Sequence, residues 1–129
     1  MNTELYPRFL AGHLRDILSD TPAAVIQGAR QVGKSTLAGM IVKPHDGVFV
    51  TLDDPLSRDY AEADPLRFLR QAEDKTLVID EVQRVPSLLL PLKAEIDRDR
   101  RPGKFLLTGS ADLLRTPGAG DSLAGRAET

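Results

Sequence analysis

The sequence predicts an α/β domain in which a parallel sheet carries helices on its faces. Three observations lead there. Short apolar runs (23-AAVIQG-28, 47-GVFVTLDD-54, 76-TLVID-80 and 104-KFLLTG-109) alternate with stretches of helical spacing. Several of these runs are apolar at consecutive rather than alternate positions, as strands buried on both faces are. The stretch 28-GARQVGKSTL-37, between the first run and the helix after it, fits the phosphate-binding pattern G-x-x-x-x-G-K-[ST].

Each element has its own signal. Residues 4–19 place Leu10, Leu14, Ile17 and Leu18 on one side of a 3.6-residue period, a helix expected to start after Pro7 and to stop near Ser19-Asp20-Thr21-Pro22. The first strand ends in Gly28. Leu37, Met40 and Ile41 mark the helix that follows the loop, and Pro44 closes it. After the second strand, residues 57–72 are helical but broken at Asp64-Pro65, because the residue before a proline avoids the α region. Leu89, Leu92 and Ile96 define a helix to about Arg98, with Pro91 confined to its first turn because an interior proline costs about 3 kcal/mol. A short helical turn is expected at 111–115. The stretch 116–129 reads as a glycine-rich tail, so the whole of 1–129 is a single domain with its core at 23–115.

Composition narrows the function classes. Apolar residues are 41% and charged residues 28% of the 129, an ordinary globular balance. The net charge of −2 gives no overall basic field for nucleic acid or anionic membrane. The absence of cysteine excludes disulfides, thiolate metal sites and thiol nucleophiles. There is no apolar run of membrane-spanning length and no signal-peptide pattern at the N-terminus, so a soluble cytoplasmic protein is expected, with no membrane partner.

The loop explains its own spacing. Gly28 and Gly33 let the backbone of Ala29, Arg30, Gln31 and Val32 wrap closely, so that amide groups and the N-terminus of the next helix face phosphate oxygens. Lys34 would reach the β- and γ-phosphates of ATP, and Ser35, with Thr36 beside it, would bring a hydroxyl to Mg²⁺. The third strand runs into Asp80-Glu81, at the strand end where such sheets bind ligands. Asp80 would hold the metal through its water shell and Glu81 would polarise the attacking water. Glu81 next to Asp80, with no N-K-x-D downstream, favours ATP hydrolysis over a translational-type GTPase.

Other residues have two readings. Thr108 and Ser110 either face the γ-phosphate or form a Thr-Gly-Ser turn. Asp53 and Asp54 are expected to cap the next helix, away from the phosphates. Arg126 is a tail residue or an arginine that contacts phosphate. Arg98, Arg100 and Arg101 could touch nucleic-acid phosphates, or simply favour the C-terminal end of their helix. His13 and His45 have no partners at metal-ligand spacing.

Together, GARQVGKSTL, TLDDP, LVIDEVQRVP, FLLTGSADLL and SLAGR resemble the prokaryotic AAA-type ATPases of the archaeal-ATPase-like group, P-loop proteins of the additional-strand, catalytic-glutamate division. The resemblance implies a three-layer P-loop NTPase with sheet order 5-1-4-3-2, Asp80 and Glu81 as the acid pair, and Thr108 or Ser110 as the sensor. Members of that group continue beyond the SLAGR-like stretch into a fifth strand and a C-terminal domain. Both are expected to be missing here, which would leave the first strand a bare edge open to another chain, a second copy included. The alternative to an ATPase is then a truncated module that binds nucleotide or a protein partner without hydrolysis, and a DNA-binding role comes third.

Overall fold

A computed structural model describes residues 5–27, 34–109 and 127–128, with side chains over 12–26 and 38–109. The elements run α1 (Leu5–Asp20), β1 (Ala23–Gln27), α2 (Lys34–Ile41), β2 (Gly47–Thr51), α3 (Pro55–Ala63), α4 (Pro65–Leu69), β3 (Thr76–Asp80), α5 (Leu89–Arg98), β4 (Phe105–Gly109) and β5 (Ala127–Glu128). One-turn 3-10 helices occupy Pro44–Asp46, Val82–Arg84 and Pro86–Leu88. The helical turn expected at 111–115 lies outside the described residues.

All described strand pairs are parallel, and the sheet order is β2-β3-β4-β1-β5, the expected one. The expected loss of the fifth strand needs correcting. Four strands have five residues each, and Ala127–Glu128 adds a two-residue fifth that pairs with Ala23 and Ala24. The edge of β1 is therefore covered at its start rather than bare.

Side-chain alternation along the strands builds two cores. Ala23, Val25, Leu77, Ile79, Phe105 and Leu107 face α3, α4 and α5, where they meet Ala61, Phe68, Leu69, Leu92 and Ile96. Ala24, Ile26, Val78 and Leu106 face the other way, onto Leu14 and Leu18 of α1 and Ala38 and Ile41 of α2. Both faces of β1, β3 and β4 are thus dry, which is why their sequences are continuously apolar. Burying each Leu, Ile or Phe contributes about 1.5–3 kcal/mol.

Local chemistry sets the boundaries. Asp54 caps α3 by accepting from the Leu56 N–H, with Pro55 at the first helical position. Asp64 both ends α3, donating its N–H to the Tyr60 carbonyl, and caps α4 by accepting from the Arg67 N–H. The expected break at Asp64-Pro65 is therefore two helices sharing one cap. Pro91 lies in the first turn of α5. Pro7 lies inside the first turn of α1 rather than before it, where its missing N–H has no helical acceptor to lose.

Candidate active site

The strand register makes the C-terminal ends of the central strands level. Thr51 of β2 stands opposite Asp80 of β3, Ile79 stands opposite Leu107 of β4, and Gln27 of β1 stands opposite Gly109. The last residues of four parallel strands therefore meet along one edge of the sheet, the edge at which α/β proteins bind ligands.

Asp80 is held there from both sides. Thr51 Oγ1 donates to its Oδ2 at 2.9 Å, and Thr108 Oγ1 donates to its Oδ1 at 2.6 Å. Each threonine also accepts a backbone N–H from an acidic residue: Thr108 from Glu81 at 3.1 Å and Thr51 from Asp53 at 3.2 Å. One carboxylate and two hydroxyls thus fix the loops after β2 and β3 to each other. Thr108 is fully buried, so its own two bonds are the better shielded from competition with water.

Glu81 leaves the strand with φ 57° and ψ 49°, a left-handed conformation uncommon for a residue with a side chain. The chain turns sharply there into the 3-10 helix Val82–Arg84. That turn sends two side chains back toward the edge: Gln83 Nε2 donates to Glu81 Oε1 at 2.6 Å, and Arg84 Nε donates to Asp53 Oδ1 at 3.0 Å. Asp53, Asp80 and Glu81 each bring a carboxylate oxygen within 4.8 Å of the others. Beside them a cavity of about 250 Å³ is lined by Ala38, Phe49, Thr51, Val78, Asp80 and Thr108.

The sequence-predicted residues divide into three groups. Asp80, Glu81 and Thr108 are brought together as described. Lys34, Ser35 and Thr36 open α2, directly beyond the loop that leaves β1, and their side chains lie outside the described residues. Gly28, Ala29, Arg30, Gln31, Val32, Gly33, Ser110 and Arg126 lie outside the described residues altogether. The structure adds Thr51, Asp53, Gln83 and Arg84. Asp53 departs from its expected capping role: Asp54 alone caps α3, while Asp53 joins the acid cluster.

Arg98, Arg100 and Arg101 are engaged within the protein. Arg98 and Arg70 both donate to Glu95, Arg100 donates to Asp97, and Arg101 donates to the carbonyls of Glu73, Asp74 and Lys75. Glu95 is 2% exposed, and the Arg70 guanidinium beside it draws its carboxyl down to about 2 despite the opposing effect of burial. Lys104, 6% exposed, donates to the Glu95 and Asp99 carbonyls, and burial lowers the pKa of its ammonium. These residues gather at α5 and at the start of β4, the sheet edge opposite Asp80.

Comparison with known proteins supplies the remaining finding. Residues 20–129 match the family described as AAA domain. Uncharacterised proteins of Mycobacterium bovis and of Mycobacterium tuberculosis are each 35% identical to the chain over 121 residues, which is 94% of the chain and 27% of the relative. The chain thus spans about a quarter of the length of the curated relatives it matches. No helix among the described residues is long and apolar enough to cross a membrane.

Proposed function

The chain belongs to the AAA domain family, and from that premise we propose that it is a Mg²⁺-dependent ATP-binding domain that hydrolyses ATP in the full-length protein. The observation that carries the proposal is the position of Asp80 and Glu81. They stand at the C-terminal end of β3, separated only by β4 from the strand that runs into GARQVGKST.

In this reading the backbone of Gly28 to Gly33, with Ala29, Arg30, Gln31 and Val32 between, cradles the phosphates, and Lys34 neutralises the β- and γ-oxygens. Thr36 follows in the first turn of α2. The donor set suits magnesium: carboxylates and hydroxyls are hard oxygen ligands, and Asp53, Asp80 and Glu81 lie together at a spread suited to a hydrated ion. Ser35 and Asp80 would hold it. The bound ion would supply charge neutralisation at the β- and γ-phosphates.

The chain's own residues perform the remaining steps. Thr51 and Thr108 stop the Asp80 carboxylate from rotating. Glu81 accepts a proton from, and so orients, the water that attacks the γ-phosphorus. Thr108 is suited to couple the two acids, since one hydroxyl contacts the Asp80 side chain and the Glu81 backbone. Ser110 and Arg126 are the further candidates for contact with the γ-phosphate. The pairing of Arg98, Arg100 and Arg101 within the protein lends no added support to a DNA-binding role.

Two measurements test the reading. Lys34→Ala is expected to abolish ATP binding by calorimetry, and unchanged affinity would refute the proposal. Glu81→Gln is expected to keep ATP binding and lose phosphate release. Binding without any turnover in the unmodified full-length protein would favour the non-hydrolysing module.

A further inference from the structure

We propose that Gln83 is a positioning residue for Glu81, its amide fixing the carboxylate in the orientation from which it acts on water; the inference rests on the ATPase reading above. The geometry that brings the two side chains together is unusual. Residues i and i+2 do not face each other on a helix, and residues 82–84 are helical. Glu81 and Gln83 meet because Glu81 is left-handed, which reverses the chain direction immediately before the turn. The 2.6 Å bond from Gln83 Nε2 to Glu81 Oε1 is a product of that specific backbone.

The charges around Glu81 favour such a donor. Its carboxylate shares a space under 4.8 Å across with those of Asp53 and Asp80, so mutual repulsion would swing it outward. Arg84 Nε answers the charge of Asp53, and the two Thr hydroxyls serve Asp80. To Glu81, Gln83 brings a neutral amide.

The fold does not depend on this amide. The turn is anchored by Val82, Val85 and Leu88, which are 0%, 1% and 0% exposed and belong to the main core. Those three side chains hold the turn from the core side, and the unfolding midpoint of the Gln83 variants checks that they suffice. Gln83→Glu is the informative variant, because it keeps size and shape and replaces the donor with a second carboxylate. Gln83→Ala removes the group altogether.

The experiment uses the full-length protein with MgATP and measures steady-state phosphate release, nucleotide affinity by calorimetry, and the thermal unfolding midpoint, with Glu81→Gln in parallel. Both Gln83 variants are expected to lower kcat about 10- to 100-fold while the MgATP dissociation constant stays within about twofold. The unfolding midpoint is expected to stay at the wild-type value. Wild-type kcat in both variants, with Glu81→Gln inactive, would overturn the role of Gln83 and leave the ATPase reading standing. Loss of kcat matched by loss of affinity or of thermal stability would also overturn it, since a general structural role does that. Undiminished turnover in Glu81→Gln, or none in the wild type, would remove the ATPase reading and this inference with it.

Discussion

Thr108 Oγ1 joins both acids of the site, because its hydrogen goes to Asp80 Oδ1 and its lone pair to the Glu81 N–H. Thr108→Val keeps the shape and removes both bonds at a fully buried side chain. Unfolding in urea is expected to show a loss of about 1–3 kcal/mol, with Thr108→Ser restoring most of it. Wild-type stability in Thr108→Val together with a loss in Thr108→Ser would mean that the methyl group, not the hydroxyl, is what matters. At this scale the sequence was only partly legible. Asp80 and Glu81 stand out because an apolar strand ends in them, and Asp54 because a proline follows it. Asp53 and Thr51 carry no comparable signal. Their roles depend on Thr51 lying opposite Asp80, a register between strands separated by α3 and α4, which no local pattern in one sequence encodes.

Among the elements, local signals were read well and long-range ones poorly. Asp64-Pro65 marks a helix boundary through the sterics of proline alone, and the structure places one there. Ala127–Glu128 has no propensity that announces a strand; its pairing with Ala23 and Ala24 exists only through the sheet. Gly47, which opens β2, shows a third kind of constraint. Its φ of −153° suits any residue, so conformation does not require glycine there. Space does: a Cβ would lie 2.5 Å from Val42 Cγ1 and 3.0 Å from the Thr76 carbonyl oxygen. Gly47→Ala is expected to destabilise the protein by about 1–3 kcal/mol, by overpacking where α2 feeds the edge strand. Adding Val42→Ala removes the closer clash but not the carbonyl, so the double variant is expected to recover less than a full rescue after allowing for the cavity it makes. Additive losses in a double-mutant cycle would refute this account. Gly103 contrasts with it: φ is +72° and conformation itself favours glycine.

Across the whole molecule the two edges of the sheet have opposite chemistry. The C-terminal edge gathers Asp53, Asp80 and Glu81, and the opposite edge buries Glu95 among Arg70, Arg98 and Lys104. The first arrangement suits a cation and the second closes on itself, which separates a site from a structural clamp. The clamp has a testable pH signature. The Glu95 carboxyl is held down to about 2, first by the hydrogen bond from Arg70, against an ordinary value of 4.5. A depressed carboxylate pKa means that the unfolded chain takes up a proton before the folded one does, so stability falls as pH drops from about 4.5 toward 2 and is fully present above that window. The side chains of Arg70 and Arg98 are 45% and 53% exposed, so screening limits the contribution to about 1–3 kcal/mol. Glu95→Gln is expected to cost about 2–4 kcal/mol at pH 7, since it takes the buried carboxylate from Arg70 and Arg98 and leaves Lys104 with only the half-exposed Asp99 as counter-charge. The same variant is expected to flatten the fall in stability below pH 4.5. Urea midpoints from pH 7 to pH 2.5 for both proteins decide the matter. Parallel curves would show that other carboxylates, and not the clamp at the base of the sheet, set the acid limit of the fold.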